Sequence, residues 1–326
     1  MLQVARSIAA DEDFFADLEA EAPSNRVALL LAGGDGKRLQ DLTREIEGRP
    51  VPKQYCRLLY GSSLLEATIT RARLFAPCES ITVIVNRNHM KLAAGQVRAL
   101  PESNVFIQPS NRDTGPGMLF ALLRLVETHP DAIVAVFPTD HYIDDDRMFI
   151  LHVLHAARLI ASLPGKIAIL GIPPDTPETG YGYILPGSPV AGCARAYEVQ
   201  AFTEKPGLPS ACDIISRGGL WNTFVMVFRI SHMLDLLREL VPEEFQKLAQ
   251  LRRSPEKAPD LYRNISAWNL STRVLARIPQ HLILIKVADV RWSDWGTRAL
   301  VEKTYRTLNL APSWNISRTV SNPVSG

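Results

Sequence analysis

Residues 27–31, Val-Ala-Leu-Leu-Leu, form an unbroken apolar run that opens into Ala32-Gly33-Gly34-Asp35-Gly36-Lys37-Arg38-Leu39. An apolar run without polar alternation predicts a strand buried on both faces, the situation of a sheet covered by helices on each side. A glycine-rich loop at the end of such a strand presents bare backbone N–H groups, and side chains do not block their approach to phosphate oxygens. Lys37 and Arg38 follow in the loop, and Lys53 comes shortly after in Pro52-Lys53-Gln54. A backbone nest with three cations at one strand end suits a polyanion such as a nucleoside triphosphate. Two familiar phosphate loops are excluded. A Walker A loop needs Gly where Leu31 stands and Ser or Thr where Arg38 stands. A dinucleotide fingerprint starting at Gly34 needs a third Gly where Leu39 stands.

The rest of the chain sets this loop in a repeating order. Apolar runs recur at 81–85, 105–107, 133–137 and 167–170, and helical patterns lie between them at 64–75, 118–127 and 149–162. The order predicts an α/β fold with a Rossmann-like mixed, mostly parallel sheet flanked by helices. Ligands in such sheets sit beyond the carboxyl ends of the strands, where the Gly33 loop and Phe137-Pro138-Thr139-Asp140 both fall. After residue 172 shorter β-like stretches appear at 181–185, 194–202 and 223–228, with helical patterns at 233–240 and 297–308. The expected organisation is an N-terminal helical extension at 1–25, a domain at 26–310 and a frayed polar tail at 311–326. The domain divides at about residue 172 into a half that carries the phosphate loop (26–172) and a smaller half that completes the sheet and forms a lid for a second substrate (173–310). A charged loop with two prolines at 251–260 is expected to be mobile.

Composition narrows the partners. Thirty-six Lys and Arg against 34 Asp and Glu leave a net charge of +2, so no global field calls for nucleic acid or an anionic membrane. No apolar run approaches the length of a membrane span. The N-terminus is acidic and lacks the order of a signal peptide. Cys56, Cys78, Cys193 and Cys212 form no C-x-x-C pair and read as reduced thiols, with Cys56 an apolar filler. The expected compartment is the cytoplasm. The oligomeric state stays open, a homodimer being one option.

The loop and the segments after it resemble the sugar nucleotidyltransferases, whose signature is Leu-Ala-Gly-Gly-x-Gly-Thr-Arg-Leu-x-Pro-Leu-Thr. The likeness continues in order through Gln108-Pro-Ser-Asn-Arg112-Asp113-Thr114, Phe137-Pro138-Thr-Asp140-His141 and Pro177-Glu-Thr-Gly180-Tyr181-Gly-Tyr183. It goes on through Phe202-Thr-Glu204-Lys205-Pro206, Leu220-Trp221-Asn222-Thr223 and Trp292-Ser293-Asp294-Trp295-Gly296. Within the family, Pro-Lys-Gln with the Arg-x-Thr and Glu-Thr-Gly-Tyr-Gly-Tyr segments is most similar to mannose-1-phosphate guanylyltransferases. The sequence ends where longer members continue into a cupin-like isomerase domain, so a short form without that second activity is expected.

The resemblance implies transfer of a nucleotidyl group from an NTP, GTP by preference, to a hexose 1-phosphate, mannose 1-phosphate by preference, with release of pyrophosphate. Two anions must meet, so positioning and charge neutralisation dominate the chemistry. Mg²⁺ is the implied cofactor, and Asp140 and Asp294 are the carboxylates placed on it; for Asp140 the alternative is a helix N-cap. Arg38 would stabilise the triphosphate, and Lys53 and Lys205 would hold the α-phosphate and the sugar phosphate. Leu31, Ala32, Gly33, Gly34, Gly36, Lys37, Arg112, Thr114 and Pro138 make up the nucleotide side. Gly180, Tyr181, Glu204, Lys205 and Asn222 make up the sugar side. The run Asp144-Asp145-Asp146 reads as a solvated helix start. His152 and His155 read as ordinary helix residues, and His141 as a residue that orients its loop. UTP or dTTP with glucose 1-phosphate, and a catalytically silent sugar-nucleotide sensor, are the competing readings. Asp113 stands where the family has Asn, Lys37 where it has Thr, and Trp268 where it has an acid that reaches toward the sugar.

Overall fold

The computed structural model describes residues 22–59, 61–253, 262–312 and 314. The N-terminal extension, most of the loop at 251–260 and most of the tail at 311–326 lie outside these residues. In chain order the main elements are β1 (Arg26–Ala32), α1 (Gln40–Glu47), α2 (Leu64–Ala72), β2 (Ile81–Asn86), β3 (Val105–Gln108), α3 (Thr114–Thr128), β4 (Ile133–Pro138), β5 (Tyr142–Ile143), α4 (Asp146–Ser162) and β6 (Ile167–Ile172). They continue with β7 (Gly182–Pro189), β8 (Ala196–Glu204), α5 (Leu208–Ser216), β9 (Leu220–Arg229), α6 (Ile230–Leu240), α7 (Pro242–Arg253), β10 (Leu282–Lys286), β11 (Trp292–Ser293) and α8 (Arg298–Thr307).

Nine strands form one sheet in the order β3-β2-β1-β4-β9-β6-β10-β8-β7. Pairings β3–β2, β2–β1, β1–β4 and β6–β10 are parallel, and of these nine strands β8 and β9 run against the others. β2, β4 and β6 are buried along their whole length, as expected of strands covered on both faces. One face packs on α2 and α4 through Leu65, Ile69, Phe149, Val153 and Leu154. The other packs on α3, α6 and α7 through Met118, Leu122, Met233, Leu237 and Leu248. A third, smaller core joins α1 and α8 around Leu42, Val301 and the fully buried Trp295.

Local signals set the helix starts. Ser63 and Glu66 form a reciprocal capping box on α2. Asp145 caps α4 by accepting from the Met148 N–H at 2.9 Å, so Asp140 is not the cap of that helix. The triple-Asp run is less solvated than expected, because Asp146 pairs with the buried Arg71 at 2.6 Å. His152 and His155 each hold a backbone carbonyl, of Ala288 and Ala194, as ordinary helix residues. The four cysteines are unpaired. Cys56 is a buried filler whose thiol burial pushes up to about 12. No helix among the described residues is long and apolar enough to cross a membrane.

Candidate active site

The carboxyl ends of β1 and β4 open into a cleft of about 570 Å³. Its floor is the glycine loop. Gly36 adopts φ +58°, and a Cβ there would stand 2.7 Å from the Lys53 backbone nitrogen and 3.0 Å from Pro52 Cα. Only glycine lets the loop lie flat against the Pro-Lys-Gln segment. Gln54 then fastens the loop from below, donating from Nε2 to the Ala32 carbonyl at 3.1 Å and the Gly34 carbonyl at 2.7 Å. Tyr55 adds a hydroxyl bond to Ala32 at 2.8 Å. Gly34 has open space where its Cβ would be, so its backbone is free to meet a ligand.

Two acidic residues far apart in sequence meet at the cleft through a two-stranded ribbon. β5 follows Asp140 by one residue, β11 precedes Asp294, and the two strands pair antiparallel, Tyr142 with Ser293 and Ile143 with Trp292. Each carboxylate has its own cation. Lys53 Nζ lies 3.2 Å from Asp140, and Arg38 lies 3.6 Å from Asp294. Burial pushes the Asp140 carboxyl up, but Lys53, His141 and Arg38 outweigh it and hold it below the usual carboxylate range. His141 accepts from Trp292 Nε1 at 3.3 Å and stands edge-on to that ring, which fixes the loop that carries Asp140. The Gly296 N–H donates to Asp294 at 2.7 Å. A Cβ on Gly296 would come within 2.9 Å of Arg38 Nη1 and within 2.6 Å of the Asp294 carboxylate.

Lys53 takes a place the sequence did not indicate. Its side chain is 6% exposed, and it also donates to the carbonyls of Asp294 and Trp295. It stands behind the cleft wall as an internal counter-charge joining the two acidic loops. Arg38 is 63% exposed and lines the cleft.

Of the residues expected on the nucleotide side, Leu31, Gly33, Gly34, Thr114 and Pro138 line the cleft. Ala32, Gly36 and Lys37 support the loop without lining it, and Lys37 faces solvent. Arg112 is turned away and donates to the Arg263 carbonyl at 2.7 Å. Asp113 caps α3 from φ +71°, bonding the Thr114 N–H. Residues 267–271 are laced to this loop: the Trp268 N–H reaches the Arg112 carbonyl, the Gly115 N–H reaches the Trp268 carbonyl, and the Leu270 N–H reaches Thr114 Oγ1. Trp268 is buried against Gly115, where a Cβ would collide with its ring at 2.1 Å. Its indole is thus a packing element at the start of α3, and its neighbours Ala267 and Asn269 line the cleft.

Of the residues expected on the sugar side, Gly180, Tyr181, Glu204, Lys205 and Asn222 all line the cleft. Glu204 and Lys205 pair at 3.1 Å, and the carboxylate of Glu204 lies over Gly182, 2.7 Å from where a Cβ would be. Lys205 sits at φ +47° with its N–H on the Tyr181 carbonyl, which turns the chain at the end of β8. Tyr181, Trp221 and Trp292 stack edge-on as a wall, with ring centroids 4.9 and 5.3 Å from Tyr181. Gln54 and Phe224 also line the cleft. Gln54 was visible in the Pro-Lys-Gln segment, whereas nothing in the sequence marks Phe224.

Comparison with known proteins agrees with this geometry. The family model described as Nucleotidyl transferase matches residues 27–308. The chain is 35% identical over 283 residues to mannose-1-phosphate guanylyltransferase ManC of Salmonella typhimurium, covering 82% of this chain and 57% of that protein. It is 35% identical over 229 residues to mannose-1-phosphate guanylyltransferase of Escherichia coli K12, covering 68% and 46%. The chain thus spans about half the length of the curated relatives it matches. A crystal structure described as mannose-1-phosphate geranyltransferase from Thermus thermophilus superposes with a TM-score of 0.74 at 28% identity, covering 83% of this chain and 76% of that one. With the family model spanning most of its length and these relatives above 30% identity, the chain belongs to the nucleotidyl transferase family.

Proposed function

We propose that this chain transfers a guanylyl group from GTP to mannose 1-phosphate, giving GDP-mannose and pyrophosphate. One observation carries the reading: two cation-paired carboxylates stand in one cleft between a side-chain-free loop and a cradle of Glu204, Lys205 and Asn222. The names of the relatives support GTP and mannose as the pair.

The residues present fit a Mg²⁺ ion. Among the described residues no group of three His, Cys, Asp or Glu could hold a metal by itself. Mg²⁺ differs from a caged ion in this respect, since it takes one or two carboxylates and completes its shell with phosphate oxygens and waters. Asp140 and Asp294 would hold it, and the ion would neutralise charge on the phosphates. The protein supplies the remainder. The glycine loop and Arg38 hold the triphosphate chain. Lys205 binds the phosphate of the sugar and brings its oxygen in line with the α-phosphorus. Glu204 and Asn222 accept from and donate to hexose hydroxyls, and the backbone at Gly180 lets the ring approach. Lys53 keeps Asp140 ionised and ties it to the Asp294 loop. No general base is needed, because the attacking phosphate oxygen is already anionic.

The test is pyrophosphate release over a grid of four NTPs and several hexose 1-phosphates. Turnover greatest with GTP and mannose 1-phosphate is expected. Preference for UTP or dTTP with glucose 1-phosphate would reassign base and sugar. Binding of GDP-mannose by calorimetry with no turnover from any pair would mark a sensor.

A further inference from the structure

Phe224 combines a bulky side chain with a backbone conformation that such residues avoid. It lies inside β9 at φ +60°. The left-handed region is unfavourable for an L-residue, and for a bulky side chain it is a genuine outlier. The distortion is held in place by its neighbours. Asn222 Oδ1 accepts from the Phe224 N–H at 3.0 Å, and Thr223 Oγ1 donates to the Leu170 carbonyl at 2.8 Å and accepts from the Val225 N–H at 3.2 Å. The register of β6 on β9 slips at the same point, between Ile169 and Gly171. Glycine would adopt this bulge without cost, so the bulge itself does not call for a phenyl ring.

The ring's place suggests its use. It is half-buried, packs against the core that α3, α6 and α7 cover and lines the cleft two residues from Asn222. Strain persists where the surrounding structure over-determines it, and such sites cluster in ligand clamps. We infer that Phe224 is a size selector on the sugar side of the cleft: its ring fills space beside the hexose and excludes sugar phosphates that carry a bulky ring substituent such as an acetamido group. The place of the hexose rests on the function proposed above.

The experiment compares the native protein with Phe224→Gly, which removes ring and strain together, and with Phe224→Leu, which keeps an apolar contact of shorter reach. Each is assayed with GTP and with either mannose 1-phosphate or N-acetylglucosamine 1-phosphate. A pocket change of a few carbon atoms shifts selectivity by roughly 10–200-fold. The expected result is a rise of about tenfold or more in the ratio of kcat/KM for the acetamido sugar over mannose in Phe224→Gly. A smaller rise is expected in Phe224→Leu, with the KM for GTP within about twofold of native in both. An unchanged ratio, or a shift confined to the KM for GTP, would overturn the selector. If Phe224→Gly fails to fold, Phe224→Leu carries the same readout. If the native protein turns over no pair, the proposed function fails, and calorimetry of the two sugar phosphates then decides: gain of acetamido-sugar binding in the variant supports the selector, and no gain overturns it.

Discussion

The two ends of the cleft are built from different materials. At the glycine loop the ligand-facing surface is main chain, held flat by Gln54, Tyr55 and the contact of Gly36 with Lys53. At the opposite end, proposed for the sugar, it is side chain: Glu204, Lys205, Asn222 and Phe224, two of them at positive φ. On the function proposed above, the difference matches what each end would have to recognise. A phosphate chain presents the same oxygens to any row of N–H groups. A hexose is distinguished by where its hydroxyls point, and only placed side chains can read that. The first end therefore needs glycines at fixed spacing, and the second needs several segments delivered to one place.

The comparison breaks first at the junction of the two ends. Asp140→Asn or Asp294→Asn should lower kcat by roughly 10³-fold with smaller effects on either KM, since loss of one charge-stabilising group costs about 10²–10³. Normal pyrophosphate release from both variants at saturating Mg²⁺ would show that the carboxylates are structural. Arg38→Ala should cost about 10²-fold in kcat, and Arg38→Lys should recover only part of it because an ammonium lacks the planar fork.

Lys53 tests whether the junction is a charge device. Lys53→Met leaves Asp140 without its internal partner. Breaking a fully buried pair costs about 3–5 kcal/mol, and the 41% exposure of Asp140 reduces this to about 2 kcal/mol, read by urea unfolding. The double variant Lys53→Met/Asp140→Asn should regain stability but not activity. Equal stability of single and double variants would remove Lys53 from this role.

A finer comparison sets Gly34→Ala against Gly180→Ala. Neither added methyl meets an atom within 4 Å, so both proteins should fold normally. Gly34→Ala should raise the KM for the nucleotide by about tenfold, and Gly180→Ala that for the sugar phosphate, by analogy with methylene-sized pocket changes. Matching effects on both substrates from both variants would erase the distinction between the ends.

The smallest expected effect is on pH. His152 and His155, on α4, and His89, which faces Asp35 of the glycine loop, are all held below the ordinary imidazole value near 6.5, chiefly by burial. The unfolded chain takes up their protons first, so stability should fall as pH drops below about 6.5. His152→Gln should flatten this slope in thermal melts from pH 7 to 5, and an unaltered slope would show that His152 does not contribute.

Much of the fold was legible in the sequence. The buried strands at 27–31, 81–85, 133–137 and 167–170 lie inside β1, β2, β4 and β6. β10 was not, because its four-residue apolar run, Leu282–Ile285, does not by itself separate strand from helix. In the site, Gly33, Gly34, Asp140 and Asp294, singled out from their segments, all line the one cleft. Arg112 and Lys53 do not, because a motif places a backbone segment while the side chain turns to the partner that satisfies it. For Arg112 that is the Arg263 carbonyl, and for Lys53 it is Asp140. Phe224 carried no signal at all, since positive φ is expected at glycine and not at phenylalanine.

The position of β9 also bears on how the chain is made. β9 is the strand that joins β4 to β6, yet about 80 residues separate the end of β4 from its start. At about 5–20 residues per second of synthesis, β4 waits some 4–16 s on the ribosome with an open edge. Such an edge is a template for pairing with another chain. A ribosome stalled between residues 172 and 220 would therefore hold a nascent chain in which the glycine loop and its Gln54 and Tyr55 partners are already made but the sheet still has an open edge.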